Sequence, residues 1–306
     1  MKVKYLGEVV REQRKLLGVS QDQVCKGLCT SMTLSRFESG QQTPSRDCVA
    51  AILQRLGLPD DRYYAQLTRE ETQLIRLRKD VLAYCSQFER TCGEERQQAR
   101  RNGMEKLYEL ERCTKADDNI NQQFILGVKA SLESYPLQKQ LEVLMEAIRL
   151  TSPQFDVNEL SNCLYSTAEV SIISKIALRY TLCGQCRKAI DIYGQLLKLI
   201  RKRTPNHIYL YLIAYNYALC LASEKRWEEA LEVSEFGQQS CIKQGYYYAL
   251  PRFLHIKAEC YYLMGEINQS MELYRSAHYI YDATMDTINQ ESLKADVRER
   301  FMLFPN

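Results

Sequence analysis

The chain is predicted to be all-α, in more than one domain, on three observations. Glycine and proline supply only 20 of its 306 residues, about half the usual ~12%, which leaves little material for the turns of a hairpin-rich β fold. Apolar residues recur at helical spacing from Leu6 onward. In the second half, a pattern of small and large residues occurs three times, at intervals of 41 and 40 residues. Apolar residues at 45% and charged residues at 26% fit a folded chain and not a disordered one. A length above ~250–300 residues argues against a single core.

The first helix is read from Leu6, Val9, Val10 and Leu17, and Gly18 stops it. Ser20 with Gln23 three residues on is a capping-box pattern opening a second helix, with Val24 and Leu28 facing inward. Thr30 or Ser31 caps a third, which runs through Leu34 and Phe37 to Glu38 and ends at Gly40. Pro44-Ser45 opens a fourth, with Val49, Ile52, Leu53 and Leu56 as its apolar face and Gly57 closing it. Short helices with a tight turn between the second and third form a helix-turn-helix. Residues 1–58 carry nine Lys/Arg against five acids, so the net charge of +3 is concentrated there. Attraction to phosphate is one reading of that excess; chance is the other.

The spelling narrows this further. Ser20-Gln21, then Leu34-Ser35-Arg36-Phe37-Glu38-Ser39-Gly40, then Thr43-Pro44-Ser45 resembles the DNA-binding domain of the phage repressor and Cro class, over about residues 5–58. The stretch from Ser20 to Glu38 is one residue shorter than in phage repressors. A recognition helix enters the major groove by its N-terminal end, which makes Ser31, Met32, Thr33, Ser35 and Arg36 the candidates to meet DNA. Arg36 can pair bidentately with guanine. Met32 either touches a thymine methyl or packs in the core. The resemblance implies phosphate contacts at Gln21, with Thr43 and Ser45 suited to the same purpose, and an internal ion pair between Arg14 and Glu38.

Arg69 to Gln87 and Glu94 to Cys113 read as amphipathic helices; the charge run of the second is a solvated face or a dimer contact. The repeat follows. Ala177, Tyr180, Gly184, Cys186, Ala189 and Tyr193 align with Ala218, Leu221, Lys225, Trp227, Ala230 and Ser234, and again with Ala258, Tyr261, Gly265, Ile267, Ser270 and Tyr274. Small residues at the first and fifth sites let antiparallel helices touch. The pattern resembles the tetratricopeptide repeat, lengthened from its ~34-residue unit, with a degenerate earlier copy from Gln122 to Leu150. The resemblance implies a right-handed α-solenoid whose first helices face a concave groove. On that face lie Lys175, Tyr215, Asn216, Arg252, His255, Glu259 and Tyr262. Asn216 is the single polar side chain between Ile208 and Ala222 other than tyrosine hydroxyls. Its amide either complements a peptide backbone or bonds a neighbouring helix.

The expected domains are therefore a helix-turn-helix at 1–60, a helical linker region at 61–115 and a repeat domain at 116–306 carrying ligand binding and dimerisation. No Gly-rich phosphate loop, nucleophile elbow or paired-histidine metal motif is present in the sequence, and the three histidines are His207, His255 and His278. No enzyme, metal or cofactor is expected. The twelve cysteines are read as reduced and structural, with Cys183 and Cys186 filling a helix–helix turn. The longest apolar run is shorter than the ~20 residues of a membrane span, and the N-terminus lacks a signal-peptide core, so a cytoplasmic protein is expected. A repressor-like helix-turn-helix followed by tetratricopeptide helices resembles the RRNPP family of Gram-positive bacteria, the Rgg, PlcR, PrgX and NprR group. The resemblance implies a homodimeric transcription regulator that binds double-stranded DNA and whose repeats sense a short quorum-sensing peptide. Two alternatives remain at this point: a repressor whose repeats bind a protein partner, and a scaffold with a vestigial helix-turn-helix.

Overall fold

The computed structural model describes residues 6–58, 69–203, 207–284, 289, 291 and 293–297; the expected domain boundary at residue 60 lies outside them. All regular structure among these residues is helical. The first four helices are α1 (Leu6–Leu16), α2 (Gln21–Cys25), α3 (Ser31–Glu38) and α4 (Arg46–Arg55). Their ends follow the expected chemistry. Ser20 accepts from the Gln23 amide at 3.2 Å while the Gln23 side chain accepts from the Ser20 amide at 2.7 Å. Thr30, and not Ser31, caps α3 by accepting from the Thr33 amide, and Ser45 caps α4 through the Cys48 amide. Val10, Val24, Leu34, Phe37, Val49, Ile52, Leu53 and Leu56 close over one another as the core of this domain.

The remaining helices are α5 (Arg69–Arg90), α6 (Gly93–Cys113), α7 (Asn119–Leu132), α8 (Leu137–Thr151), α9 (Thr167–Leu182), α10 (Cys186–Arg203), α11 (Leu210–Ser223), α12 (Trp227–Gln244), α13 (Leu250–Leu263) and α14 (Ile267–Ala283). Packing divides the chain into two compact units, Met1–Arg179 and Tyr180–Asn306.

In the first unit, α5 and α6 are more than a connector. Leu77 and Val81 of α5 and Leu107 and Leu110 of α6 share one core with Ile125, Val128 and Leu132 of α7. The α7/α8 pair is the degenerate repeat, with Leu144 and Ala147 of α8 fully buried. The helix-turn-helix is joined to these helices by a buried polar knot. Arg55, at the end of α4, donates to the carbonyls of Val24, Lys26 and Thr151 and to Glu169 Oε1 at 2.9 Å. Glu169 also accepts from the Thr151 and Ser152 hydroxyls and the Ser166 amide. The side chains of this ion pair are 1% and 0% exposed. Burial alone would raise the Glu169 carboxyl, but the charge of Arg55 and these donors outweigh it and hold it below the usual carboxylate range. Gly27 closes the joint. It takes φ +73°, and a Cβ there would lie 1.9 Å from the Thr151 carbonyl oxygen, so only glycine lets the two backbones approach.

In the second unit, the repeat register is visible in the packing. Ala189, Ala218, Ala230, Ala258 and Ser270 are fully buried where helices meet. Ser270 also donates to the Ala258 carbonyl at 2.8 Å, so the small fifth site of the third copy touches its first. Between paired helices the chain turns through a left-handed residue at the same motif site in every copy: Gly184 (φ 73°), Lys225 (φ 60°) and Gly265 (φ 88°). All twelve cysteines are free. Cys220, Cys241 and Cys260 are buried, but Cys183 is exposed and therefore does not fill the turn it was expected to pack.

Candidate nucleic-acid interface and ligand face

The exposed side of α3 presents the candidate DNA residues unevenly. Ser35 and Arg36 are exposed, and Arg36 makes no ion pair among the described residues. Met32 is 63% exposed, which removes the core-packing alternative for it. Thr33 is half-buried, its hydroxyl 2.9 Å from that of Thr30, and the Ser31 hydroxyl donates to Asp22. These two hydroxyls fix the start of α3 rather than projecting from it. Thr43 and Ser45 are exposed on the loop before α4, although Ser45 also serves as its cap.

Behind α3 lies a second polar layer. Arg14 grips Glu38 bidentately, Nε to Oε1 at 2.6 Å and an Nη to Oε2 at 2.9 Å, and also donates to the Val19 carbonyl. Gln21 joins this network, donating to Glu38 Oε2 at 2.8 Å, so only part of its amide remains to meet a phosphate. Burial would raise Glu38, but the hydrogen bonds from Arg14 and Gln21 prevail and keep it ionised below the usual carboxylate range. The network floors a cleft that is also lined by Arg11, Lys15, Ser35 and Ser39. Arg11 and Lys15 are exposed, and sequence reading did not single them out. Their signal was the i, i+4 spacing that places both on one face of α1.

Of the seven expected peptide-binding residues, Lys175 falls in the first unit and the other six in the second. Lys175 belongs to the first unit, where its ammonium donates to the Gly127 carbonyl at 3.2 Å and burial pushes it below the ordinary lysine range. In the second unit, the Tyr215 ring meets Phe253 edge-on at 6.0 Å, and the Arg252 guanidinium lies 5.9 Å from the centre of the same ring. Asn216, one residue along α11, is half-buried, and its side-chain amide has no hydrogen-bond partner among the described residues. His255 Nε2 is 2.8 Å from Asp296 Oδ2, and Glu259 accepts from the Tyr274 hydroxyl at 3.3 Å. Tyr262 is half-buried at the end of α13.

The chain thus combines a helix-turn-helix, whose third helix is exposed on one side, with helix pairs in repeat register. Residues 5–63 match the helix-turn-helix domain family, and residues 92–301 match the RNPP family C-terminal domain. The chain belongs to the RNPP family of transcription regulators. No curated protein sequence matches it. Its fold is similar to that of Bacillus thuringiensis PlcR crystallised with the peptide PapR7 and DNA (20% identity, 95% of this chain and 99% of that one, TM-score 0.59). PlcR in its apo form is similar to the same degree (20% identity, 95% and 99% covered, TM-score 0.60). ComR from Streptococcus suis has 17% identity, with 98% of this chain and 96% of that one covered and a TM-score of 0.51. At these identities the likeness establishes a common fold. Among the described residues, no helix is long and apolar enough to cross a membrane.

Proposed function

We propose that the chain is a homodimeric, sequence-specific transcription regulator of the cytoplasm whose DNA affinity is set by a short signalling peptide bound at the α11/α13 face. The DNA half of the reading is supported by the exposed Met32, Ser35 and Arg36, and by the basic cleft beside them. A vestigial domain has no need of that layout. The observation that carries the peptide half is Asn216. Asn216 is half-buried on α11, and among the described residues no neighbouring helix takes its side-chain amide. Its amide offers the donor and acceptor that a peptide unit requires. Arg252 beside Tyr215 supplies a cation for a carboxylate. The proposed peptide contacts centre on Tyr215 and Asn216 of α11 and Arg252 and Tyr262 of α13, whereas Lys175 lies on α9 in the other unit. The solved PlcR complex, with both peptide and DNA, is consistent with this assignment.

The DNA half is tested by selecting duplexes from a random pool with the full-length protein and footprinting the winners. Two half-sites about 34 Å apart, or a multiple, are expected for a two-fold dimer. On such a site Arg36→Ala should cost ~1–3 kcal/mol while changing random-duplex affinity little. Equal losses on both duplexes would reduce Arg36 to a backbone grip. Protection of one isolated half-site at saturating protein would exclude the dimer.

A further inference from the structure

The strongest chemistry outside the two faces above is a meeting of three ligand-type side chains in the second unit. His255 and Glu259 lie one turn apart on α13, at the i, i+4 spacing that stacks side chains on one face. Asp296 reaches them from the segment 293–297. Leu293 and Val297 anchor that segment, both essentially buried against Leu254, Ala258, Tyr274 and Ala277. One ligand atom from each of the three residues lies within 4.8 Å of the other two. Nε2 of His255 and Oδ2 of Asp296 are already at 2.8 Å. All three side chains are half-buried, so an ion has a path in.

We propose that His255, Glu259 and Asp296 form a binding site for a divalent transition-metal ion, zinc being the best fit. The two carboxylates and the imidazole nitrogen are donors of the kind that a divalent cation takes. Metal–ligand bonds of ~2.0–2.2 Å in a tetrahedral set place donors roughly 3.3–3.6 Å apart, so the 2.8 Å pair must open and any wider separation, all within 4.8 Å, must close by about an ångström, a movement that rotation of the half-buried side chains supplies. The imidazole donor selects against magnesium and calcium, which prefer all-oxygen sets, and favours zinc or cobalt. An outer layer is in place. The Tyr274 hydroxyl holds Glu259 Oε1 at 3.3 Å, and the Tyr274 ring meets the His255 ring edge-on at 5.6 Å. Such partners orient metal ligands and tune their affinity. On binding, the imidazole adopts the tautomer with its proton on Nδ1, and the Nε2 lone pair goes to the ion in place of the hydrogen bond to Asp296. The bound ion clamps the segment 293–297 to α13, three and more residues along the helix from the Arg252 assigned to the peptide. The site stands independently of the peptide reading.

Full-length protein freed of metal with a chelator, then titrated with zinc and separately with cobalt, tests this. One strong site per chain is expected, with a cobalt spectrum free of sulfur-to-metal charge-transfer bands and no competition from excess magnesium. His255→Gln and Asp296→Asn should each weaken zinc at least tenfold. Tyr274→Phe, which removes only the outer hydroxyl, should weaken it by about tenfold, the low end of the ~10–100-fold range for such partners. Circular dichroism checks that each variant folds. Asp296→Asn retains the assay if His255→Gln does not fold, because Asp296 lies outside the helix pairs. Absence of zinc binding at millimolar metal overturns the proposal. So does binding unchanged in the folded variants, or a cobalt spectrum showing cysteine ligation.

Discussion

The joint around Arg55 and the face around Asn216 solve the same problem in opposite ways. Both place polar groups among apolar helices. In the joint Glu169 takes one ion pair and three further hydrogen bonds, at essentially zero exposure. At Asn216 an amide sits half-buried with no partner among the described residues. The first arrangement fixes geometry, because a buried charge has nowhere else to go. The second leaves hydrogen-bonding capacity that the described residues do not take up. The difference separates what holds the helix-turn-helix on its support from the face proposed to take a ligand.

Breaking the joint should have the largest effect. Glu169→Ala strands the Arg55 charge in the core and is expected to cost ~3–5 kcal/mol, read as a fall in thermal or denaturant midpoint. A loss below ~1 kcal/mol would mean that water enters the joint in solution. The sign with pH follows from the lowered Glu169 and Glu38 carboxyls. Their stabilisation is present above the unfolded glutamate value of ~4.3 and is lost as pH falls through the lower folded values. Wild type should therefore lose midpoint steeply in that acid window, and Glu169→Ala less steeply.

Gly27→Ala comes next. The left-handed backbone alone costs ~1–2 kcal/mol, and the added methyl must displace the Thr151 backbone as well. Loss of hydrogen-exchange protection in α4 and the start of α9, with α11–α14 unaffected, is the expected pattern. Uniform loss across the chain would show that the joint is not a separate element.

The repeat turns offer a smaller and opposite effect. Lys225 occupies the left-handed site that glycine fills in the other two copies. Lys225→Gly should raise stability by up to ~1 kcal/mol, the strain relieved less the entropy glycine adds to the unfolded chain. A destabilised variant would mean that the Lys225 side chain earns its place through contacts in solution.

Legibility in the sequence follows the range of the interaction. Caps at Ser20 and Ser45 and the small residues at Ala218, Ala230, Ala258 and Ser270 were readable because each rule spans a few residues or a fixed repeat. The alignment had already put Lys225 in the glycine column. Arg55 and Glu169 are 114 residues apart, and His255 and Asp296 are 41 apart, so no periodicity connects them. Sequence composition made Arg55 one more basic residue of a DNA-binding domain, whereas the structure spends it on the joint. For the DNA face, spacing placed Ser31 and Thr33 at the reading end of α3. It could not show that Asp22 and Thr30 would occupy their hydroxyls.

The central claim concerns the face that the joint does not resemble. Asn216→Ala removes an amide that bonds no other side chain or backbone group among the described residues, so its melting temperature should stay within about a degree or two of wild type. The direct measurement is affinity for the selected DNA site, with and without a peptide fraction of culture supernatant, for wild type and Asn216→Ala side by side. A shift of about 5–150-fold in wild type, a coupling of ~1–3 kcal/mol, and none in the variant is the predicted result. A variant that melts several degrees lower yet shifts as wild type does would contradict it, and Asn216 would then be architecture.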